Sequence, residues 1–483
     1  MLRLAVDGKV LDALKVAVPK KNKAKERLEK YVSNLEQVVN SEIFRTRPIQ
    51  MQSKKHYWAS LTEIQELGGQ IWSLSNIRTH RWLEDNGLQL VEQVNKNQAN
   101  NITGEIAIIK FTSLITVEDD EDLTTLQAMT DVDLDQYLLS VPANNLAAYQ
   151  ILLAHFLATP ASQVNADYDV LNVNIPSVVA YIKRLVRSKV SNKDRTEYLK
   201  ALRVLRVAQI NNNTYPQKKK LSEFGRTYYE GVSIQSVNKN LRKAILANCY
   251  EYDVKSSVVA WKLAFASELL ASEGKACLVD EEFLAIYYYL NYKQDYFEDL
   301  QRKVFSKTTG LSDDKQKAMI KEAMTALSFG GKLNAQWKNK FGEDEVSSVI
   351  KIFGNHYINE QLNFANSVEV TEFNHQQARL DKFIIKKFKA LYPFLATMPA
   401  LQTNSGNMSR SKVLAWLYQN AETIAMDFVR DELRKIGVAV QANIHDAIVV
   451  DRKLSDVELK CIERAVIAKT NLSYFSLGET HYV

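Results

Sequence analysis

The sequence predicts an α+β protein, helix-rich overall, and three observations carry that prediction. Apolar residues recur at helical spacing through much of residues 1–210, as in 146–157 and 178–186. From about residue 217, short apolar runs of strand character alternate with long helical patterns. Near the C-terminal end, the apolar runs 438–443 and 448–450 flank the polar pair His445-Asp446, the pattern of a β-hairpin. At 483 residues the chain exceeds one ordinary core, so it should split into two to four lobes.

Each element has its own warrant. Residues 1–210 read as mostly helical, interrupted by the acidic run Glu118-Asp119-Asp120-Glu121-Asp122, which is expected to be a solvated loop because nothing gathers its carboxylates. Asn211-Asn212-Asn213-Thr214-Tyr215-Pro216 is rich in turn formers and marks an expected lobe boundary. Tyr250 to Asp253, followed by residues 258–266, reads as a strand running into a helix. Residues 312–329 carry a helical pattern with no internal Gly or Pro, and 411–436 form another long helix stopped by Gly437. Asn443, His445 and Asp446 are expected at the tip of the hairpin that follows.

Composition narrows the function classes. The chain is 46% hydrophobic and 24% charged, with 16 Gly and 8 Pro, as in ordinary globular proteins. No run approaches the roughly 20 apolar residues of a membrane span, and the start MLRLAVDGKV lacks the features of a secretory signal. Cys249, Cys277 and Cys461 are scattered and show neither metal-ligand spacing nor a disulfide framework, so a reducing, cytoplasmic location without membrane partners is expected. The net charge of +6 is compatible with a nucleic-acid partner without demanding one. Basic clusters occur at Lys20, Lys21, Lys23 and Lys25, at Lys183, Arg184, Arg187 and Lys189, and at Lys218, Lys219 and Lys220. A solvated face explains each of them as well as a ligand does.

Four segments carry candidate chemistry. In 222–229, Gly225 lets the backbone approach a ligand and Arg226 offers a planar fork for phosphate, directly after the three lysines 218–220. Asp253 ends a strand with a helix opening behind it; it suits either a ligand-facing carboxylate or the cap of that helix. Lys317 and Lys321 share a helix face with positions 325 and 328/329, leading to Phe329 and two glycines. That face suits a triphosphate and a base, or equally a solvated lysine pair above a core Phe. His445-Asp446 at the hairpin tip is either a functional pair or a turn in which Asp446 bonds its own backbone.

The order of these segments resembles the single-subunit polymerases, the superfamily of bacterial DNA polymerase I and the phage T7-type RNA polymerases, over about residues 217–460. Residues 222–226 resemble its T/DxxGR element, Asp253 its motif A aspartate, Lys317, Lys321 and Phe329 its motif B, and Asp446 after His445 its motif C. The helix 411–436, with Gln419, Asn420 and Glu422, is similar to the element preceding motif C. The resemblance implies a right-hand polymerase in a diverged, compact form: a palm with a small antiparallel sheet, and helical fingers and thumb. It implies a helical N-terminal region with a thumb-like part over 1–210, palm over 211–265, fingers over 266–394 and palm again over 395–483. It implies two Mg²⁺ ions on Asp253 and Asp446, with Lys321 assisting catalysis. Nucleotide binding would fall to Lys317, Lys321, Phe329, His445 and Val258, and nucleic-acid binding to Gly225, Arg226, Lys218, Lys219, Lys220 and Gln419. Partners would be a DNA template, the nascent strand and nucleoside triphosphates, with an accessory protein for template loading; such a compact chain would be phage- or plasmid-encoded.

The sugar chosen is divided by the same resemblance. The DNA-making branch has a Glu where this chain has Val258 and a second acid where it has Ala447, which leans the chain towards RNA synthesis. Phe329, where both branches have Tyr, and the compact motif spacing lean the other way. The alternatives are a DNA polymerase without a proofreading exonuclease, and a catalytically degenerate nucleic-acid-binding homologue. A His-based hydrolase finds no support, since the seven His form no HxxxH or HxH pair.

Overall fold

The computed structural model describes residues 2–18, 21–42, 50–52, 54–59, 61–71, 77–95, 107–119, 122–188, 191–222, 225–275, 278–305, 310–338, 344–403 and 406–482. Its contacts divide the chain into two units, one of residues 1–220, 228–248 and 482–483, the other of 221–227 and 249–481. Two to four lobes were expected, with a boundary in the Asn-rich turn. Instead Asn212 and Asn213 take left-handed backbone (φ 50° and 58°) and turn the chain into the strand Thr214–Leu221. That strand runs antiparallel to Tyr168–Asn172 inside the first unit. Asparagine tolerates the left-handed region, so the turn serves strand pairing and not a lobe boundary.

The first unit is mostly helical up to residue 210, as expected, but eight short strands that the sequence did not announce also lie among its described residues there. Leu2–Val6 pairs with Ile115–Asp119, and Tyr57–Ala59 and Val91–Gln93 flank Ala107–Phe111 in an antiparallel sheet. These strands share a core with the helix Lys21–Glu42, whose Leu28, Tyr31, Leu35 and Val39 are buried every third or fourth residue. Strands of two to five residues set only one to three side chains inward, too few to establish a period of two. Part of the acidic run is therefore strand and not loop: Glu118 and Asp119 lie on Ile115–Asp119, Asp122 pairs with Arg195, and 120–121 fall outside the described residues.

The expected helices are present. Ile175–Arg187 buries Val178, Tyr181, Ile182 and Val186 on one stripe, and Asn174 caps it by accepting from the Ser177 amide at 3.1 Å. Its basic cluster is engaged within the protein: Lys183 pairs with Asp135 at 2.8 Å and Arg187 with Asp131 at 2.7 Å. Lys25 pairs with Glu29 at 3.7 Å; Lys20, Lys189, Cys277 and the side chain of Lys21 lie outside the described residues.

The second unit is built on a four-stranded antiparallel sheet. We label its elements in chain order: β1 (Tyr250–Val254), α1 (Ser257–Leu263), α2 (Lys293–Val304), α3 (Asp313–Ser328), α4 (Arg410–Lys435), β2 (Val440–Ile444), β3 (Ala447–Val450), α5 (Asp456–Thr470) and β4 (Leu477–His481). The spatial order is β2-β3-β1-β4. Tyr252 and Val254 of β1, Ile448 and Val450 of β3 and Leu477 of β4 join Met426, Val429 and Leu433 of α4 and Ile462 and Val466 of α5 in one core. A second core gathers α1, α2, α3 and the helix Val368–Leu391. The sequence-predicted strand-to-helix step, the two long helices and the hairpin all occur. One detail differs: Asn443 is not at the hairpin tip but within β2, opposite Ile448, where it accepts from Arg430 at 3.2 Å. Among the described residues no helix is long and apolar enough to cross a membrane.

Candidate functional site

The site begins with the register of two neighbouring strands. Asp253 in β1 lies opposite Ala447 in β3, and the Val254 amide donates to the Asp446 carbonyl at 2.9 Å. Two carboxylates 193 positions apart in the chain therefore stand at adjacent strand ends. On the other flank Asp253 faces Gly478 of β4, and a Cβ on Gly478 would sit 3.0 Å from Asp253 Oδ1. Glycine there leaves the carboxylate its room. Nothing in the local sequence around Gly478 announced this.

The two structural alternatives for these aspartates do not hold. The cap of α1 is Ser256, in left-handed backbone (φ 47°), so Asp253 is not capping that helix. Asp446 does not close its own turn with its side chain; its Oδ2 accepts from Ser257 Oγ at 3.0 Å. The two-residue turn is carried instead by His445, half-buried with φ 51°.

The electrostatics leave Asp253 short of positive charge. Burial raises its pKa, and the negative charges of Glu251 and Asp446 add to the rise. Its exposed tip still reaches solvent, and Lys293 opposes the shift in part. Sequence reasoning missed Lys293. This lysine opens α2, donates to Ser256 Oγ at 2.7 Å and lies over the rings of Tyr289 and Phe297. Burial and then the charge of Lys321 lower its pKa, while Asp253 pulls the other way. A single Lys followed by an aromatic-rich helix has no distinctive spacing, so only proximity reveals it.

On α3 the expected face exists: Lys317, Lys321, Thr325 and Phe329 are all exposed. Lys317 pairs loosely with Glu298 at 3.8 Å. Phe329 is 46% exposed and not a core residue; the edge of its contact is Tyr418 of α4, at 6.0 Å and 79°. Tyr418 was also missed. Its hydroxyl donates to Ser257 Oγ at 2.7 Å, and that serine donates on to Asp446.

Arg226 has a committed partner. Its Nε and Nη2 donate to the two oxygens of Glu422 at 2.7 and 2.6 Å, and the guanidinium lies over the Tyr418 ring. The planar fork that the sequence offers to phosphate is taken up here by a 2% exposed carboxylate. Burial raises the pKa of Glu422, and Arg226 holds it down. Gly225 has φ 84°, and a Cβ on it would stand 2.6 Å from Asn420 Oδ1, so the loop is pressed against α4. Residues 223 and 224 of this loop lie outside the described residues.

The remaining expected residues have surroundings of their own. Lys218, Lys219 and Lys220 are strand residues of the first unit and not a loop. Lys218 pairs with Glu230 at 3.3 Å and Lys219 with Asp169 at 3.0 Å, while Lys220 is exposed. Val258 is buried at 6% in the helical core behind Ser257. Gln419 is half-buried on α4 next to Tyr418. The structure thus brings together Asp253, Asp446, Glu422 and Arg226 with Ser257, Tyr418 and Phe329, and charge coupling adds Lys293 and Lys321.

Carboxylate oxygens are the donors that Mg²⁺ prefers, and a cation would relieve the crowding of negative charge at Asp253. Among the described residues no group of three or more His, Cys, Asp or Glu is gathered as a metal cage. A site of two carboxylates suits an ion that takes its other ligands from substrate and water.

No protein-family model and no curated protein matches the chain. Among solved structures it is similar to the POL domain of Pol1 from M. smegmatis, solved in complex with DNA primer-template and dNTP. That likeness has 11% identity and a TM-score of 0.34, and covers 74% of this chain and 67% of the other.

Proposed function

We propose that this chain is a template-directed nucleotidyltransferase, a compact single-subunit polymerase of right-hand type that works with two Mg²⁺ ions and makes RNA on a DNA template. The observation that carries the reading is the pair Asp253 and Asp446 at adjacent ends of β1 and β3, one of them raised in pKa by burial and by the negative charge around it. Asp253 and Asp446 would hold the ions. When bound, such ions supply an activated 3′-hydroxyl and neutralise a pyrophosphate leaving group. Lys321, exposed on α3 and coupled to Lys293, offsets charge on the triphosphate, and Lys317 one turn away binds its outer phosphates. Phe329 presents an exposed ring, held by Tyr418, on which a base stacks. The proposed partners are the template, the nascent strand, nucleoside triphosphates and an accessory protein that loads template.

RNA synthesis is favoured because Val258 and Ala447 carry no acid. DNA synthesis is the second reading, favoured by the compact spacing from Arg226 to Asp253 and from Lys321 to Asp446. Single-turnover extension of a primed template with Mg²⁺ and either rNTPs or dNTPs decides between them; strong dNTP preference overturns RNA synthesis. Asp253→Asn and Asp446→Asn should each cut incorporation by about 10³-fold or more. Full activity in both variants would remove the site assignment, and no incorporation by the wild type on any template would favour the degenerate reading.

A further inference from the structure

We propose that Ser257 and Tyr418 are positioning residues that hold the Asp446 carboxylate through a one-way hydrogen-bond chain; this rests on reading Asp446 as a metal-holding residue.

The direction of the chain follows from counting protons. An ionised carboxylate only accepts, so the bond between Ser257 Oγ and Asp446 Oδ2, 3.0 Å long, uses the single serine proton. Tyr418 Oη is 2.7 Å from the same serine oxygen, which has no proton left to give and must accept the tyrosine's. Glu422 also accepts from that tyrosine hydroxyl beside the fork of Arg226, so the tyrosine proton is shared between Glu422 and Ser257 Oγ. The donors therefore run Tyr418 to Ser257 to Asp446, all pointing at the carboxylate, an arrangement in which each bond polarises the next.

The tyrosine is itself held in place. Its ring is 3% exposed, with Trp261 edge-on at 5.8 Å, Phe329 at 6.0 Å and the Arg226 guanidinium at 5.7 Å. A buried hydroxyl among aromatic rings is costly unless it is satisfied, and a phenylalanine would fill the same space without that cost. The proposal gives the hydroxyl its use. It also joins the Phe329 platform to Asp446 through one side chain.

The test measures Mn²⁺ binding to the full nucleotide-free chain by electron paramagnetic resonance, so its readout does not depend on turnover. Asp446→Asn should abolish one site. Ser257→Ala should weaken binding about fivefold, as expected for losing one hydrogen bond to a charged group, and Ser257→Thr should restore it to within about twofold. Tyr418→Phe, which keeps the ring, should weaken binding about threefold. Because Tyr418 acts only through Ser257, the double variant Ser257→Ala/Tyr418→Phe should bind like Ser257→Ala alone. Wild-type affinity in Ser257→Ala and Tyr418→Phe, with binding lost in Asp446→Asn, overturns the chain while the site reading stands. Unchanged binding in Asp446→Asn overturns the site reading and this proposal with it.

Discussion

Asp253 concentrates the residue-scale physics of this protein. Its strand position aims the carboxylate past Gly478, and burial with Glu251 and Asp446 nearby makes its charged form unfavourable. A carboxylate whose folded pKa is raised binds its proton longer in the folded state than in the unfolded one. Stability is therefore lost as pH rises from the ordinary value of 3.8 through the raised one, and the whole penalty is present at neutral pH. Asp253→Asn should raise the thermal midpoint of the metal-free protein at pH 7, with the gain shrinking as pH falls towards 3.8. Mg²⁺ should raise the midpoint of the wild type more than that of the variant. Melting curves in EDTA and in Mg²⁺ across pH check both; a variant less stable than wild type at pH 7 contradicts the electrostatic account. Asp253 was legible as a candidate from its motif position, whereas its raised pKa was not, because burial and the charge of Asp446 reach it through the pairing of β1 with β3.

At the scale of elements, a buried ion pair joins α1 to the helix Val368–Leu391, and its lysine also reaches the end of α3. Lys262 of α1 is 1% exposed; its Nζ lies 2.6 Å from Asp381 of the helix Val368–Leu391 and donates to the Ser328 carbonyl at the end of α3 at 2.7 Å. Burial lowers the Lys262 pKa and raises that of Asp381, so each charge depends on the other to remain in the core. Lys262→Ala should cost about 3–5 kcal/mol in urea denaturation, because Asp381 is left buried and unpaired. The double replacement Lys262→Met/Asp381→Leu should recover most of that loss. A cost of Lys262→Ala below about 1 kcal/mol would mean that solvent reaches the pair. The helices themselves were plain in the sequence, since a period of 3.6 over sixteen or twenty-six residues is a strong signal. The pair of Lys262 with Asp381 was not, because neither residue stands out from the charged residues around it.

The whole molecule is two units whose chain segments interleave. The polypeptide passes into the second unit at 221, returns at 228, leaves again at 249 and comes back at 482. Tyr482 is fully buried in the first unit, and its carbonyl accepts from the Asn248 amide at 2.8 Å. Tyr482→Ala should cost about 3–5 kcal/mol and show as lost amide protection within the first unit, including residues 240–248. Hydrogen exchange measures this; unchanged protection there would mean that Tyr482 carries little of the packing. The boundary expected at 211–216 followed turn content, which registers where a chain bends but not which segments later pack together.

The sequence by itself determined the strand-to-helix step at Asp253, the helices ending at Ser328 and Lys435, and the hairpin around His445-Asp446. Each depends on patterns within a few residues, where period, turn formers and helix stops act locally. Tertiary structure alone decided that Arg226 binds Glu422, that Ser257 and Tyr418 lead to Asp446, and that Lys293 stands beside the site. Those partners are separated by 196, 189 and 161 positions along the chain. No local pattern specifies a contact over such a distance. Only the pairing of β1 with β3 and the packing of α4 bring the groups within hydrogen-bond reach.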